Sequence, residues 1–218
     1  DILAGWYAMK MGLPVGHFVC ASNDNKVLYD FFRTGEYNRN REFHVTVSPS
    51  MDILISSNLE RLLAHMGGQD ATKAEMESLN KTGSYKAEIT ETKISGEYAT
   101  EAETFSAIKK FYEETGYVMD THTAVAYAAY QKYKGESGDD KPMVIVSTAS
   151  PYKFTKDVMT ALDEKYADGD AFELQADLEK ASGVSVPAPI VGLEHRPILH
   201  KNVCEKTEIK EVVKNWLR

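Results

Sequence analysis

Cysteine is scarce in this sequence: Cys20 and Cys204 are the two in 218 residues. Two thiols exclude a disulfide framework and suit a reducing, cytoplasmic setting. The six histidines, at 17, 44, 65, 122, 195 and 200, are scattered, and no Cys-x-x-Cys accompanies them. His195 and His200 stand five apart, which puts them on different faces of any helix, so no metal is expected. Positive charge is also in the minority, with 25 Lys and Arg against 33 Asp and Glu, for a net charge of -8. No basic stripe forms, and nucleic acid is not an expected partner. No apolar run approaches the roughly 18 to 20 residues that span a bilayer, so no membrane partner is expected either.

Three catalytic signatures are missing as well. There is no G-x-x-x-x-G-K-[ST] and no G-x-G-x-x-G, which argues against the common nucleotide-binding folds. Neither Ser147 nor Ser150 sits in a G-x-S-x-G elbow, so a serine nucleophile has no support. His122 begins a helix, where packing or hydrogen bonding is its expected role.

What is present is the rhythm of an α/β domain. The hydrophobic fraction is 43% and the charged fraction 27%, ordinary for a globular chain. The chain opens with "DILAGWYAMKMGLPV", a helix in which Ala4, Ala8 and Met11 recur with Ile2 and Leu3, ended by Gly12 and Pro14. It starts on a first helical turn without an initiator methionine, which leads us to expect a fragment. "HFVCAS" reads as a buried strand. "NDNKVLYDFFRTG" reads as a helix with N-cap candidates at Asn23 to Asn25, an apolar face of Val27, Leu28, Phe31 and Phe32, and a stop at Gly35. Helix, strand, helix with tight polar turns predicts a largely parallel sheet with helices on both faces.

Further along, a polar loop runs from Tyr37 to Ser50. Ser57 and Glu60 suggest a capping box, and Gly67 and Gly68 close the helix they start. A polar helix is predicted over about 71–81, and the stretch near 82–100 lacks apolar density and reads as a peripheral excursion. Thr100 and Glu103 form a second capping box, for a helix with Phe105, Ile108, Tyr112 and Thr115 on one face. A small-residue helix follows from about Thr123, with Ala124, Val125, Ala128 and Ala129 suited to close packing. Then comes an apolar strand, Met143 to Val146, and helices at about 155–162 and 170–182. The last helix carries Ile209, Val212, Val213, Trp216 and Leu217 on one face. The segment "VIVSTASPYKF" runs apolar residues into hydroxyls. Ser147 and Thr148 serve either as strand punctuation or as groups presented to a ligand beyond the strand.

The order of "DILAGWYAMKMGLP", "CASNDN", "REFHVTVSPSMDI", "SSNLERLL", "GEYATEAET", "THTAVAY" and "STASPYKF" resembles the threonine synthases. The resemblance runs from Asp1 to about Phe154 and is weaker beyond. It implies a pyridoxal 5'-phosphate enzyme, a lyase of threonine biosynthesis with the tryptophan-synthase-β-like fold, acting on O-phospho-L-homoserine and water to give L-threonine and phosphate. Residues 1–218 would be the C-terminal portion of the large cofactor-binding domain. Thr148 matches the family residue that meets the pyridine nitrogen, with Ser147 beside it. Asp1 falls in the first turn of the helix that faces the cofactor phosphate, where free amides and a positive dipole end suit an anion. Asn23 and Asn25 match a family Asn-x-Asn and are substrate-side candidates.

Two family features do not match, the smaller substrate-gripping domain and the Schiff-base lysine. The Schiff-base lysine lies in a Ser-Phe-Lys-Asp-type motif, which these residues do not contain, and Lys153 lies past the turn as a solvated side chain. This chain by itself is therefore expected to lack covalent catalysis and catalytic residues. Two alternatives stay open: a non-catalytic small-molecule-binding domain on the same scaffold, and a replacement enzyme of the same fold acting on serine or cysteine derivatives.

Overall fold

The computed structural model describes residues 1–89 and 93–217. It divides into two compact units, Asp1–Val186 and Pro187–Arg218, where the sequence suggests one domain.

The first unit is α/β. Strand β1 (Phe18–Ser22) pairs in parallel with β4 (Ile94–Tyr98), Cys20 opposite Gly96. A second, antiparallel pair joins β2 (Glu36–Asn38) to β3 (Ser84–Lys86). The stretch near 82–100 is therefore not a peripheral excursion: it supplies the parallel partner of β1, with Ile94, Gly96 and Glu97 buried. The sequence hid this because two of the strand's five residues are Gly and Glu. Both are there for contacts. A Cβ on Gly96 would lie 2.8 Å from the Tyr29 Cα, so only glycine lets α2 (Val27–Thr34) approach β4. Glu97 is buried because Arg33 meets it at 2.8 Å. Residues 90–92 of that stretch lie outside the described residues.

Helix α2 buries Val27 and Phe31 completely, each a contribution of about 1.5 to 3 kcal/mol. Its N-cap is Lys26, with no side-chain cap, so Asn23 to Asn25 do not cap it; their side chains are engaged elsewhere. Gly35 ends it in the left-handed region at φ 72°, as the sequence suggests. Helix α1 (Ile2–Lys10) buries Leu3 and Trp6, whereas Ala4 and Met11 are exposed. The large indole decides the inward face, and the Ala4–Ala8–Met11 stripe does not.

Helix α3 (Ser57–Gly67) is capped by Ser56, whose hydroxyl accepts from the Leu59 amide at 3.2 Å, one residue earlier than the Ser57 box. Helix α4 (Gln69–Thr82) follows. Helix α5 (Glu101–Thr115) does carry the Thr100–Glu103 capping box. Its buried residues are Thr104, Ala107 and Ile108, so the inward face is rotated away from Phe105, Tyr112 and Thr115. Helix α6 (Thr121–Ser137) buries Ala124, Val125, Ala128 and Ala129, and these small residues let it pack closely on β1. Helices α7 (Thr155–Leu162) and α8 (Gln175–Ser182) complete this unit.

Residues 143–146 correct another expectation. They form no strand, and Val144 and Val146 are 83% and 55% exposed. Met143 and Ile145 are half-buried, so the alternation of an extended segment is present without a ladder among the described residues. In the second unit, α9 (Ile209–Trp216) has the predicted periodicity, with Ile209, Val213 and Trp216 exposed.

Candidate functional site

A cavity of about 760 Å³ lies within the first unit, in the size range of small-molecule sites. Its wall includes Asp1 and Ile2 from the start of α1, Ser22 at the carboxyl end of β1, His122 and Thr123 from the start of α6, and Thr148. Ligands of α/β proteins bind at such strand ends. The six-residue set comes from four separate stretches of chain, which the fold brings to one place.

The Asp1 side chain makes no capping bond to α1, so the first amides of that helix have no side-chain partner. Thr148 is exposed on the cavity wall; Ser147 stands beside it, its hydroxyl 2.9 Å from that of Thr123. Asn25 lines the cavity, whereas Asn23 does not. The donors of both are spent internally. Asn25 Nδ2 donates to the His44 carbonyl at 2.8 Å and to Asp52 Oδ1 at 3.1 Å, while Asn25 Oδ1 accepts from the His44 amide at 2.9 Å. Its side chain thus pairs with residue 44 much as a neighbouring strand would. Asn23 Nδ2 donates to Asp52 Oδ1 at 2.7 Å and to the hydroxyls of Thr46 and Ser48 at 2.9 and 3.0 Å.

The start of α6 holds a group that sequence reasoning missed. Asp120 caps the helix and is buried, accepting from the His122 amide at 2.9 Å and from the Thr123 hydroxyl. Burial pushes its carboxyl up, but the bonds from His122 and Thr123 outweigh that and hold it below the ordinary value. His122 Nε2 accepts from the Ser50 amide at 3.1 Å, so in the neutral ring the proton sits on Nδ1, 3.2 Å from Asp120 Oδ1. The signal was available: Asp before Thr-His-Thr at a helix start is a capping sequence. Cys20 also lines the cavity, but burial pushes its thiol up to about 12, which makes it inert as a nucleophile. Lys153 does not line the cavity; the lysine that does, Lys141, is paired with Asp139 at 3.2 Å. No cluster of metal-binding side chains occurs among the described residues.

The cavity thus brings the exposed Thr148, the start of α1 and a largely apolar lining to one space. Comparison with known proteins gives that space a context. Residues 123–213 match the family model "Threonine synthase, C-terminal". The chain is 36% identical over 183 residues to threonine synthase of Saccharomyces cerevisiae, covering 74% of this chain and 36% of that protein. It is 40% identical over 173 residues to human threonine synthase-like 1, covering 76% of this chain and 23% of that one. Among solved structures, yeast threonine synthase superposes with a TM-score of 0.79 at 30% identity, covering all of this chain (100%) and 44% of the yeast chain. A pyridoxal-phosphate-bound threonine synthase from Brucella melitensis gives 0.75 at 29% identity, covering 99% of this chain and 43% of that one. The chain is similar to the threonine synthases over their C-terminal portion. It spans less than half the length of these relatives.

Proposed function

We propose that this chain is the C-terminal portion of a threonine synthase, an enzyme that converts O-phospho-L-homoserine and water to L-threonine and phosphate in the cytoplasm. The observation that carries the reading is the shared cavity: Thr148 and the N-terminus of α1 line one space. This donor set fits pyridoxal 5'-phosphate. The first-turn amides at Asp1 would hold the phosphate, and the hydroxyl of Thr148, with Ser147 beside it, would meet the ring nitrogen. The bound cofactor supplies an electron sink for chemistry at the substrate's carbon chain.

The residues of this chain act by binding and orienting. A neutral hydroxyl both donates and accepts, so Thr148 holds the ring without placing a formal charge on it. Asn23 and Asn25 shape the substrate-facing wall by fixing the 43–52 loop, and the half-buried Met143 and Ile145 with the buried Leu59 and Leu62 exclude water from the lining. No free lysine reaches the cavity wall among the described residues, so the 218-residue chain by itself is expected to bind without turning substrate over.

The test is an assay of the full-length protein and of this chain. Phosphate release from O-phospho-L-homoserine by the full-length protein, and none by the chain alone, supports the reading. Release from serine or cysteine derivatives in its place assigns a replacement enzyme. An amino acid or phosphate bound without any cofactor absorbance in the full-length protein assigns a non-catalytic binding domain.

A further inference from the structure

The turn that carries Thr148 has no ladder to hold it. Residues 143–147 form no strand, and Ser147 and Thr148 are both exposed, yet the reading above needs the Thr148 hydroxyl fixed to within a fraction of an ångström. The polar tie is a chain of side chains rooted in a buried carboxylate. Asp120, 1% exposed, contacts the Thr123 hydroxyl, and Thr123 contacts the Ser147 hydroxyl at 2.9 Å. The carboxylate can only accept, so the Thr123 hydroxyl donates its one proton to Asp120 and accepts from the Ser147 hydroxyl. Thr123 is thereby held in one rotamer, and Ser147 is tied to it across 24 residues of sequence.

The root of the chain is itself fixed from three sides. The backbone amide of His122 reaches Asp120 Oδ1 at 2.9 Å, and that of Thr123 reaches the same oxygen at 3.4 Å. The His122 ring meets it at 3.2 Å while accepting from the Ser50 amide. Asp120 therefore links the 48–52 loop, the start of α6 and the 147–148 turn. A simple helix cap needs only the backbone bonds. The further bond outward from Thr123 has no capping function.

We propose that Asp120 and Thr123 are positioning residues for the cofactor-facing turn, acting through Ser147 to set where Thr148 presents its hydroxyl. This rests on the assignment of the cavity to pyridoxal phosphate, and the experiment separates the two. In the full-length protein, Thr123→Val removes the hydroxyl link and leaves the Asp120 cap in place; Thr123→Ser keeps the link. The cofactor-free protein is titrated with pyridoxal phosphate, and hydrogen exchange is followed in a peptide covering 143–150 before the cofactor is added. Thr123→Val is expected to weaken cofactor binding about tenfold and to speed exchange in that peptide, with Thr123→Ser close to the parent. If Thr123→Val fails to fold, Ser147→Ala, at an exposed position, carries the same expectations.

Thr148→Val is the control. Loss of affinity in Thr148→Val with parent-like affinity and exchange in Thr123→Val and Ser147→Ala overturns the positioning proposal and leaves the site assignment standing. Parent-like affinity in Thr148→Val overturns the assignment of the ring contact itself. Equal loss in Thr123→Val and Thr123→Ser also overturns the proposal, because it shows that packing at position 123, and not its hydroxyl, supports the turn.

Discussion

Asn23 and Asn25, after β1, and Ser147 and Thr148, after the 143–146 segment, are two short polar runs set beside one cavity, and they use their hydrogen-bonding groups in opposite ways. The asparagines are 3% and 2% exposed, and their amide groups are committed to Asp52, Thr46, Ser48 and His44. The hydroxyls are exposed, and among the described residues Ser147 is tied to Thr123 while Thr148 makes no side-chain bond. A buried amide must be paired or it costs about 1 to 3 kcal/mol, so the first cluster is spent on shape. An exposed hydroxyl pays no such penalty when empty and is free to meet a ligand. Two runs of similar composition thus differ: one is committed to holding the loop and the other is left exposed.

The largest test of that division falls on the wall. Asp52 accepts from Asn23, Asn25 and both the amide and hydroxyl of Thr46. Asp52→Ala removes the one acceptor that all of these donors share and is expected to cost about 3 kcal/mol in urea unfolding. Because Asn23 shares this network, the double variant with Asn23→Ala should fall short of the summed losses by about 1 kcal/mol. Simple additivity of the two would mean that they act separately and that no joint cluster holds the loop.

A smaller effect belongs to Asp120, which is buried like the asparagines and tied to the turn by its bond to Thr123. Its folded carboxyl is held below the ordinary 3.8, so the native state favours the charged form. The stabilisation is complete above the unfolded value and is lost as pH falls through the folded one. Asp120→Asn keeps a capping oxygen and should cost about 1 kcal/mol at neutral pH. The gap between parent and variant, followed by thermal unfolding from pH 6 downward, should stay constant to near pH 4.5 and then close. A gap that is flat to pH 3 would show that the charge contributes nothing.

The wall and the turn were legible to different degrees. The helix starts and stops that depend on local chemistry, such as the Thr100–Glu103 box and Gly35, appear in the sequence because the groups that satisfy them lie within a few residues. The role of Asn23 and Asn25 is hidden in the sequence, since the partners of their amide nitrogens lie 19 to 29 residues away and nothing local points to Asp52. Strand β4 was missed for a related reason. Gly96 and Glu97 look polar and irregular until the approach of Tyr29 and the charge of Arg33 are known. Residues 143–146 erred the other way: apolarity is local, whereas a ladder needs a partner. Thr148 was marked through family resemblance, because a hydroxyl after an apolar run reads equally well as punctuation. Asp120, two residues before His122, went unweighed although a capping aspartate is a local signal.

The sharpest comparison comes from the smallest expected change in stability. Thr148 is exposed and makes no side-chain bond among the described residues, so replacing its hydroxyl with a methyl in Thr148→Val removes no internal partner there. The two side chains are nearly the same shape, and both are β-branched, so the backbone preference of the turn is kept. Surface changes of this kind stay within about 0.5 kcal/mol. The melting temperature of the cofactor-free protein should therefore match the parent, while affinity for pyridoxal phosphate falls about tenfold, the equivalent of one lost hydrogen bond of about 1.4 kcal/mol. Asp52→Ala should show the reverse order, a large loss of stability in the cofactor-free state. If Thr148→Val instead lowers the melting temperature as Asp52→Ala does, its hydroxyl is part of the wall, and the turn has no group reserved for a ligand.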